Sequence, residues 1–187
     1  MIASRSIIAL VFVINTLLGL YTAAVLLRFL MQQVRADFYN PLAQAVVKLS
    51  NPLLLPLRRV IPAWGKMDMA AIVLMIVVQF ANVWLVLFVS SSPFVYAWGS
   101  IVFWTVFKLI FILVNLYFFS ILLEALMSWL GQGRGSMDGL LRPLNAPLLR
   151  PARRILPPTS GLDFSPLLVM LVLQVINLLL PLAWPIV

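Results

Sequence analysis

Four apolar stretches, each close to the roughly 20 residues that a helix needs to cross a bilayer, decide what this chain can fold into. They cover residues 7–28, 69–89, 101–130 and 164–184. The first ends at Arg28, the second follows Asp68 without a charge of its own, the third carries Lys108 and Glu124, and the fourth is uncharged. With 64% of its 187 residues hydrophobic and only 10% charged, the chain has the composition of a membrane protein. The expected fold class is all-α, with four transmembrane helices. Arg5 ahead of an apolar run, and the small residues Thr22, Ala23 and Ala24, imitate a secretory leader, but the run is too long for a leader and has a counterpart in mid-chain. A fifth crossing, made by splitting 94–130 at Lys108, lacks turn residues around 104–111.

The counterpart belongs to an internal repeat. Shifting the chain by 95 positions places Pro52 on Pro147, Pro56 on Pro151, Arg58 and Arg59 on Arg153 and Arg154, Pro62 on Pro157, and Asp68 on Asp163. The same shift places Gln79 on Gln174 and Asn82 on Asn177, and one position more places Tyr21 on Tyr117 and Met31 on Met127. This is a tandem duplication. Residues 1–93 form the first repeat, with spans at 7–28 and 69–89 around an amphipathic linker at 36–62. Residues 94–187 form the second, with spans at 101–130 and 164–184 around a linker at 131–163. Two crossings per half leave both halves in the same orientation, so a pseudo-two-fold along the membrane normal is expected to relate them.

The basic residues set the direction. Arg28, Arg35, Lys48, Arg58, Arg59 and Lys66 lie between spans one and two, and Arg134, Arg142, Arg150, Arg153 and Arg154 between spans three and four, whereas Arg5 is alone before the first. That asymmetry is expected to put both linkers in the cytoplasm and both termini outside. The net charge of +8 is therefore spent on topology, and no nucleic-acid partner is expected. Cys and His are both absent from the chain, which removes thiol nucleophiles, disulfides, Cys/His metal sites and imidazole relays. Five carboxylates remain, and they form no recognisable acid/base pair. No enzyme activity, cofactor or metal is expected.

In the first linker Asn40-Pro41 has the form of a helix start, with Phe38, Leu42, Ala45, Val46, Leu49 and Leu53 on one side and Gln44, Lys48 and Asn51 on the other. Such a helix lies in the headgroup plane, and Asn51-Pro52 is expected to end it. The second linker is a weaker copy, with Ser136 as N-cap and Leu140, Leu141, Leu144 and Leu148 on one side; its entrance at 131–135 is too lax for a phosphate loop. Prolines bracket Arg58-Arg59 and Arg153-Arg154 and predict a stiff turn just outside the bilayer. Guanidinium forks there suit phosphate oxygens, with Asp68 and Asp163 steering them. The plainer reading is positive-inside anchoring at about 1 kcal/mol per basic residue.

Within the spans, Gln79 with Asn82 and Gln174 with Asn177 each share a helix face, so the two pairs are expected to meet across the pseudo-two-fold, as interhelical hydrogen bonds or as a polar path. Glu124 takes the place of Arg28, which suggests an ion pair between repeats. Lys108, near the outer end of its span, is expected to snorkel.

The run Asp37-Phe38-Tyr39-Asn40-Pro41, the phrase Pro56-Leu57-Arg58-Arg59-Val60-Ile61-Pro62, and the stretch from Pro147 to Arg154 followed by Gly161-Leu162-Asp163-Phe164-Ser165-Pro166 together resemble the YggT family, also called YlmG. The resemblance covers essentially the whole chain; Ala146 between Asn145 and Pro147, and Ser160 before Gly161, depart from the pattern. It implies a bacterial inner-membrane protein, related to chloroplast proteins, from a family connected with osmotic or salt stress, cell division, and plastid nucleoid and cytochrome complex assembly. No defined reaction comes with it. The sequence thus points to a non-enzymatic organising or assembly factor whose linkers dock anionic lipid headgroups, other membrane or division proteins, or a second copy of the chain. The alternative is a small transporter or channel component in osmotic adaptation.

Overall fold

The computed structural model describes residues 5–65, 67–91, 97–129, 136–156 and 163–180. Six helices follow one another: α1 (Arg5–Gln33), α2 (Pro41–Val60), α3 (Met69–Val89), α4 (Trp98–Trp129), α5 (Ser136–Ile155) and α6 (Ser165–Leu179). Among the described residues no strand forms, and a single bridge between Trp64 and Met67 closes the turn before α3, where Gly65 takes a φ of 60°. Three helices, α1, α3 and α4, are long and apolar enough to cross a membrane. Helix formation there follows from the solvent: in hydrocarbon each backbone N–H and C=O needs a partner in its own segment. α6 is equally apolar and covers 15 described residues. α4 runs unbroken past Lys108, so 94–130 is not split there.

α2 and α5 are amphipathic. Asn40 caps α2, its Oδ1 accepting from the Leu42 amide at 2.9 Å, with Pro41 opening the helix. The Ser136 side chain, expected to cap α5, and residues 131–135 and 157–162 lie outside the described set. One expectation fails in both linkers. α2 continues through Pro52 and Pro56, and α5 through Pro143, Pro147 and Pro151. Each proline removes one hydrogen bond and frees the carbonyl four residues earlier. A spacing of four gathers the freed groups on one side, and Lys48, Pro52 and Pro56 are all exposed, so water or headgroups can serve the carbonyls. Arg58-Arg59 and Arg153-Arg154 consequently form the last turns of helices rather than stiff turns between prolines, where their charge suits the negative end of the helix dipole.

Within the first half α1, α2 and α3 pack on one another, and within the second α4, α5 and α6 do the same. The core of the first half centres on Val25, Leu26, Leu54, Leu74 and Met75, and that of the second on Val114, Ile121, Leu149, Val169 and Leu173. The halves join through α3 on α4, α1 on α4 and α5, and α2 on α5. A two-fold would return the α3–α4 contact as one between α6 and α1, and among the described residues that contact is absent. Large apolar side chains such as Phe12, Leu17, Phe119 and Leu178 face outward, as lipid-facing surfaces do.

Candidate functional site

The arginine pairs are anchored in the same manner in both halves. Arg58 donates through Nε to Asp68 Oδ2 at 3.1 Å and through Nη2 to the same oxygen, while Asp68 Oδ1 accepts from the Ala71 amide at 3.2 Å and so caps α3. Arg153 donates through Nε to Asp163 Oδ2 at 2.8 Å, and Asp163 Oδ1 accepts from the Ser165 amide at 2.9 Å at the start of α6. Burial raises the Asp163 pKa, but the hydrogen bonds from Ser165 and Arg153 outweigh it and hold the carboxyl below the usual carboxylate value. One carboxylate thus fastens the end of each amphipathic helix to the start of the following apolar helix. The adjacent Arg59 and Arg154 are exposed, and among the described residues no carboxylate pairs with either.

Beneath each pair sits a more buried charge. Arg28 is 7% exposed and donates through Nη1 to Ser50 Oγ and Asn51 Oδ1, both at 2.7 Å, and to the Val47 carbonyl at 3.4 Å. Glu124 Oε2 accepts from Asn145 Nδ2 at 2.8 Å, Asn145 Oδ1 accepts from Ser120 Oγ at 2.6 Å, and Glu124 Oε1 lies 3.9 Å from Arg153 Nη2. The expected ion pair between Arg28 and Glu124 does not form. Each amphipathic helix offers short polar side chains to the charge of its own half, so each charge has local hydrogen-bond partners without drawing α1 and α4 together. A cavity of about 530 Å³ opens beside Arg28, Arg58 and Asp68, and one of about 510 Å³ beside Glu124, Arg153 and Asp163.

Deeper in the apolar region, Lys108 Nζ donates to Asn15 Oδ1 and Asn82 Oδ1, each at 2.5 Å. The expectation of snorkelling is corrected, because the ammonium is taken up by amide oxygens of two neighbouring helices. The ammonium instead joins α1, α3 and α4. Gln79, fully buried, accepts from Thr22 Oγ1 at 3.4 Å, and its Nε2 has no partner. Asn82 Nδ2 reaches the Ile14 carbonyl at 3.5 Å. In α6, Asn177 exchanges hydrogen bonds with Asn115 at 3.4 Å, while Gln174 is exposed. α3 and α6 make no contact among the described residues, so Gln79, Asn82, Gln174 and Asn177 do not line one seam.

The partners Asn15, Thr22, Ser50, Asn115, Ser120 and Asn145 escaped the sequence reading. The seven-residue spacing of Asn15 and Thr22, two turns along one face of α1, was the available signal. Among the described residues no group of three or more carboxylates could hold a metal ion.

Comparison with known proteins gives one consistent result. The family described as CCB3/YggT matches residues 7–89 and 103–184. The chain is 42% identical over 171 residues to the Escherichia coli K12 protein named "Uncharacterized protein YggT", covering 90% of this chain and 87% of that one. An uncharacterized Pseudomonas aeruginosa protein is 36% identical over 176 residues, covering 91% and 87%. A Vibrio alginolyticus protein is 36% identical over 169 residues, covering 90% and 91%. No solved structure matches.

Proposed function

The chain belongs to the CCB3/YggT family, and from that premise we propose that it is a non-enzymatic organising factor of the bacterial inner membrane. In this reading four helices span the bilayer, both termini are periplasmic, and α2 and α5 lie on the cytoplasmic face. There the arginine ends dock the phosphates of anionic lipids and present that face to other membrane or division proteins. The observation that carries the reading is the doubled joint: Arg58 and Arg153 are clamped to Asp68 and Asp163, and the next arginine in each half is left exposed. Clamping one guanidinium fixes the direction of the helix end, which limits the entropy lost when its neighbour binds phosphate. Replacing Arg58, Arg59, Arg153 and Arg154 with Lys keeps charge and topology but removes the bidentate fork. Phosphatidylglycerol retained per protein, read by native mass spectrometry, is expected to fall about tenfold; undiminished retention overturns the reading.

A second reading, a transporter component, is favoured by one observation: the half-buried Lys108 with Asn15 and Asn82 makes a cationic, amide-lined point inside the apolar region. It predicts that Lys108→Met abolishes a solute flux into proteoliposomes while the arginine-to-lysine variant leaves that flux intact.

A further inference from the structure

The cavities beside Arg28 and Glu124 hold similar volumes but offer opposite unused groups. In the first, Arg28 Nη1 takes every acceptor supplied by α2, and among the described residues Nε and Nη2 receive none. Two guanidiniums, Arg28 and Arg58, face the single carboxylate of Asp68 there, so the cavity favours a simple anion. In the second, the Glu124 side chain is only 11% exposed, and among the described residues its Oε1 accepts no hydrogen bond and has only a long ion pair, Arg153 Nη2 at 3.9 Å. A largely buried carboxylate lining a cavity, with one oxygen short of a donor, suits a cation that can donate to it. With Glu124 itself, Asp138 and Asp163 make three carboxylates against the three guanidiniums of Arg142, Arg150 and Arg153, Arg142 being paired with Asp138 at 2.6 Å and Arg153 with Asp163 at 2.8 Å. A ligand matching that lining carries one phosphate and one cationic group.

We propose that the second cavity binds the headgroup of an ethanolamine phospholipid, its ammonium donating to Glu124 and its phosphate held among Arg142, Arg150 and Arg153. The proposal rests on the lipid-docking reading above and adds a headgroup preference that differs between the halves. A primary ammonium fits where a choline does not. The trimethylated group has no N–H to give to Glu124 Oε1, and among the described residues no aromatic side chain lines the cavity to cage it. The lipid rather than a soluble ester is indicated by the apolar part of the lining: Ala125, Leu149 and Pro166 belong to the helices that pack below the joint.

The full chain, purified in detergent, is offered equal amounts of phosphatidylethanolamine, phosphatidylcholine and phosphatidylglycerol, and retained lipid is read by native mass spectrometry. Ethanolamine lipid is expected to exceed choline lipid about tenfold, a ratio typical of one hydrogen bond to a charged group. Glu124→Gln is expected to bring that ratio to about one while phosphatidylglycerol retention stays at the parent level, which also shows that the variant is folded. Glu124→Asp should keep part of the preference, and Arg150→Gln, at the exposed mouth, should weaken retention of both zwitterionic lipids. Equal retention of ethanolamine and choline lipids by the parent overturns the proposal, as does an unchanged ratio in Glu124→Gln. Displacement of the lipid by an equal concentration of O-phosphoethanolamine would assign the cavity to a soluble ester and overturn it as well. Loss of phosphatidylglycerol retention in the arginine-to-lysine variant tests the docking reading separately.

Discussion

Arg28 and Glu124 stand at corresponding places in α1 and α4, and each is held by the amphipathic helix of its own half. Arg28 donates to Ser50 and Asn51 of α2, and Glu124 accepts from Asn145 of α5. Asn145 occupies the place in α5 that Ser50 occupies in α2, so the partner changed with the charge. A hydroxyl oxygen accepts from the guanidinium in one half, and an amide N–H donates to the carboxylate in the other. The joint is the same and its polarity is reversed.

Asn145→Leu should therefore strip Glu124 of its hydrogen bond and lower stability by about 1–3 kcal/mol in a thermal melt in detergent. Because the two charges do not touch, a cycle of Arg28→Gln and Glu124→Gln should be additive to within about 0.5 kcal/mol. Strong coupling in that cycle would show that the charges meet.

Lys108 gives the opposite expectation. Lys108→Met and Asn15→Leu act on one contact, so the double variant should lose less than the sum of the singles, by roughly 0.5–3 kcal/mol. Additive losses would mean that the ammonium reaches the membrane surface and leaves Asn15 alone.

Pro52→Ala should raise the melting midpoint, because an alanine restores the hydrogen bond to the Lys48 carbonyl in a helix interior where proline costs up to about 3 kcal/mol. Exposure of that face makes the gain smaller than in a dry site. A helix that ended at Asn51 would show no gain.

The Arg153–Asp163 clamp should weaken in acid. Its carboxyl is held below the ordinary value of 3.8, so the contribution is complete above that pH and is lost as pH falls through the lowered native value. Asp163→Asn should remove this part of the acid dependence, measured as melting midpoint against pH.

The chain contains no cysteine, so single probes at Gln44 and Ser91 test the orientation directly. An impermeant thiol reagent applied from the periplasmic side should label Ser91→Cys and spare Gln44→Cys. The reverse pattern would invert the proposed topology.

What could be read from the sequence was local. The apolar runs of α1, α3 and α4, the Asn40 cap and the Arg–Asp pairs ten residues apart all depend on spacing within one segment. Lys108 could not be placed, because its partners lie 93 and 26 residues away and periodicity does not say which helices are neighbours. The repeat misled for a related reason. It aligned Gln79 with Gln174, but packing buries the first under α1 and leaves the second on an outer face. Pro52 and Pro56 misled because their stop signal assumes that a freed carbonyl has no other partner, which fails on a wet face.

The length of α4 has a mechanical consequence. At 1.5 Å per residue its 32 residues span about 48 Å, against a hydrocarbon core of about 30 Å. Lys108, tied to Asn15 and Asn82, pins it to α1 and α3 near one level, so in the proposed membrane arrangement the helix would answer a change in bilayer thickness by leaning rather than sliding. The far arm beyond that pivot carries Glu124. Hydrophobic mismatch would then be transmitted along α4 as a displacement of Glu124 against Asn145, and the stability of that joint should vary with the acyl-chain length of the surrounding lipid.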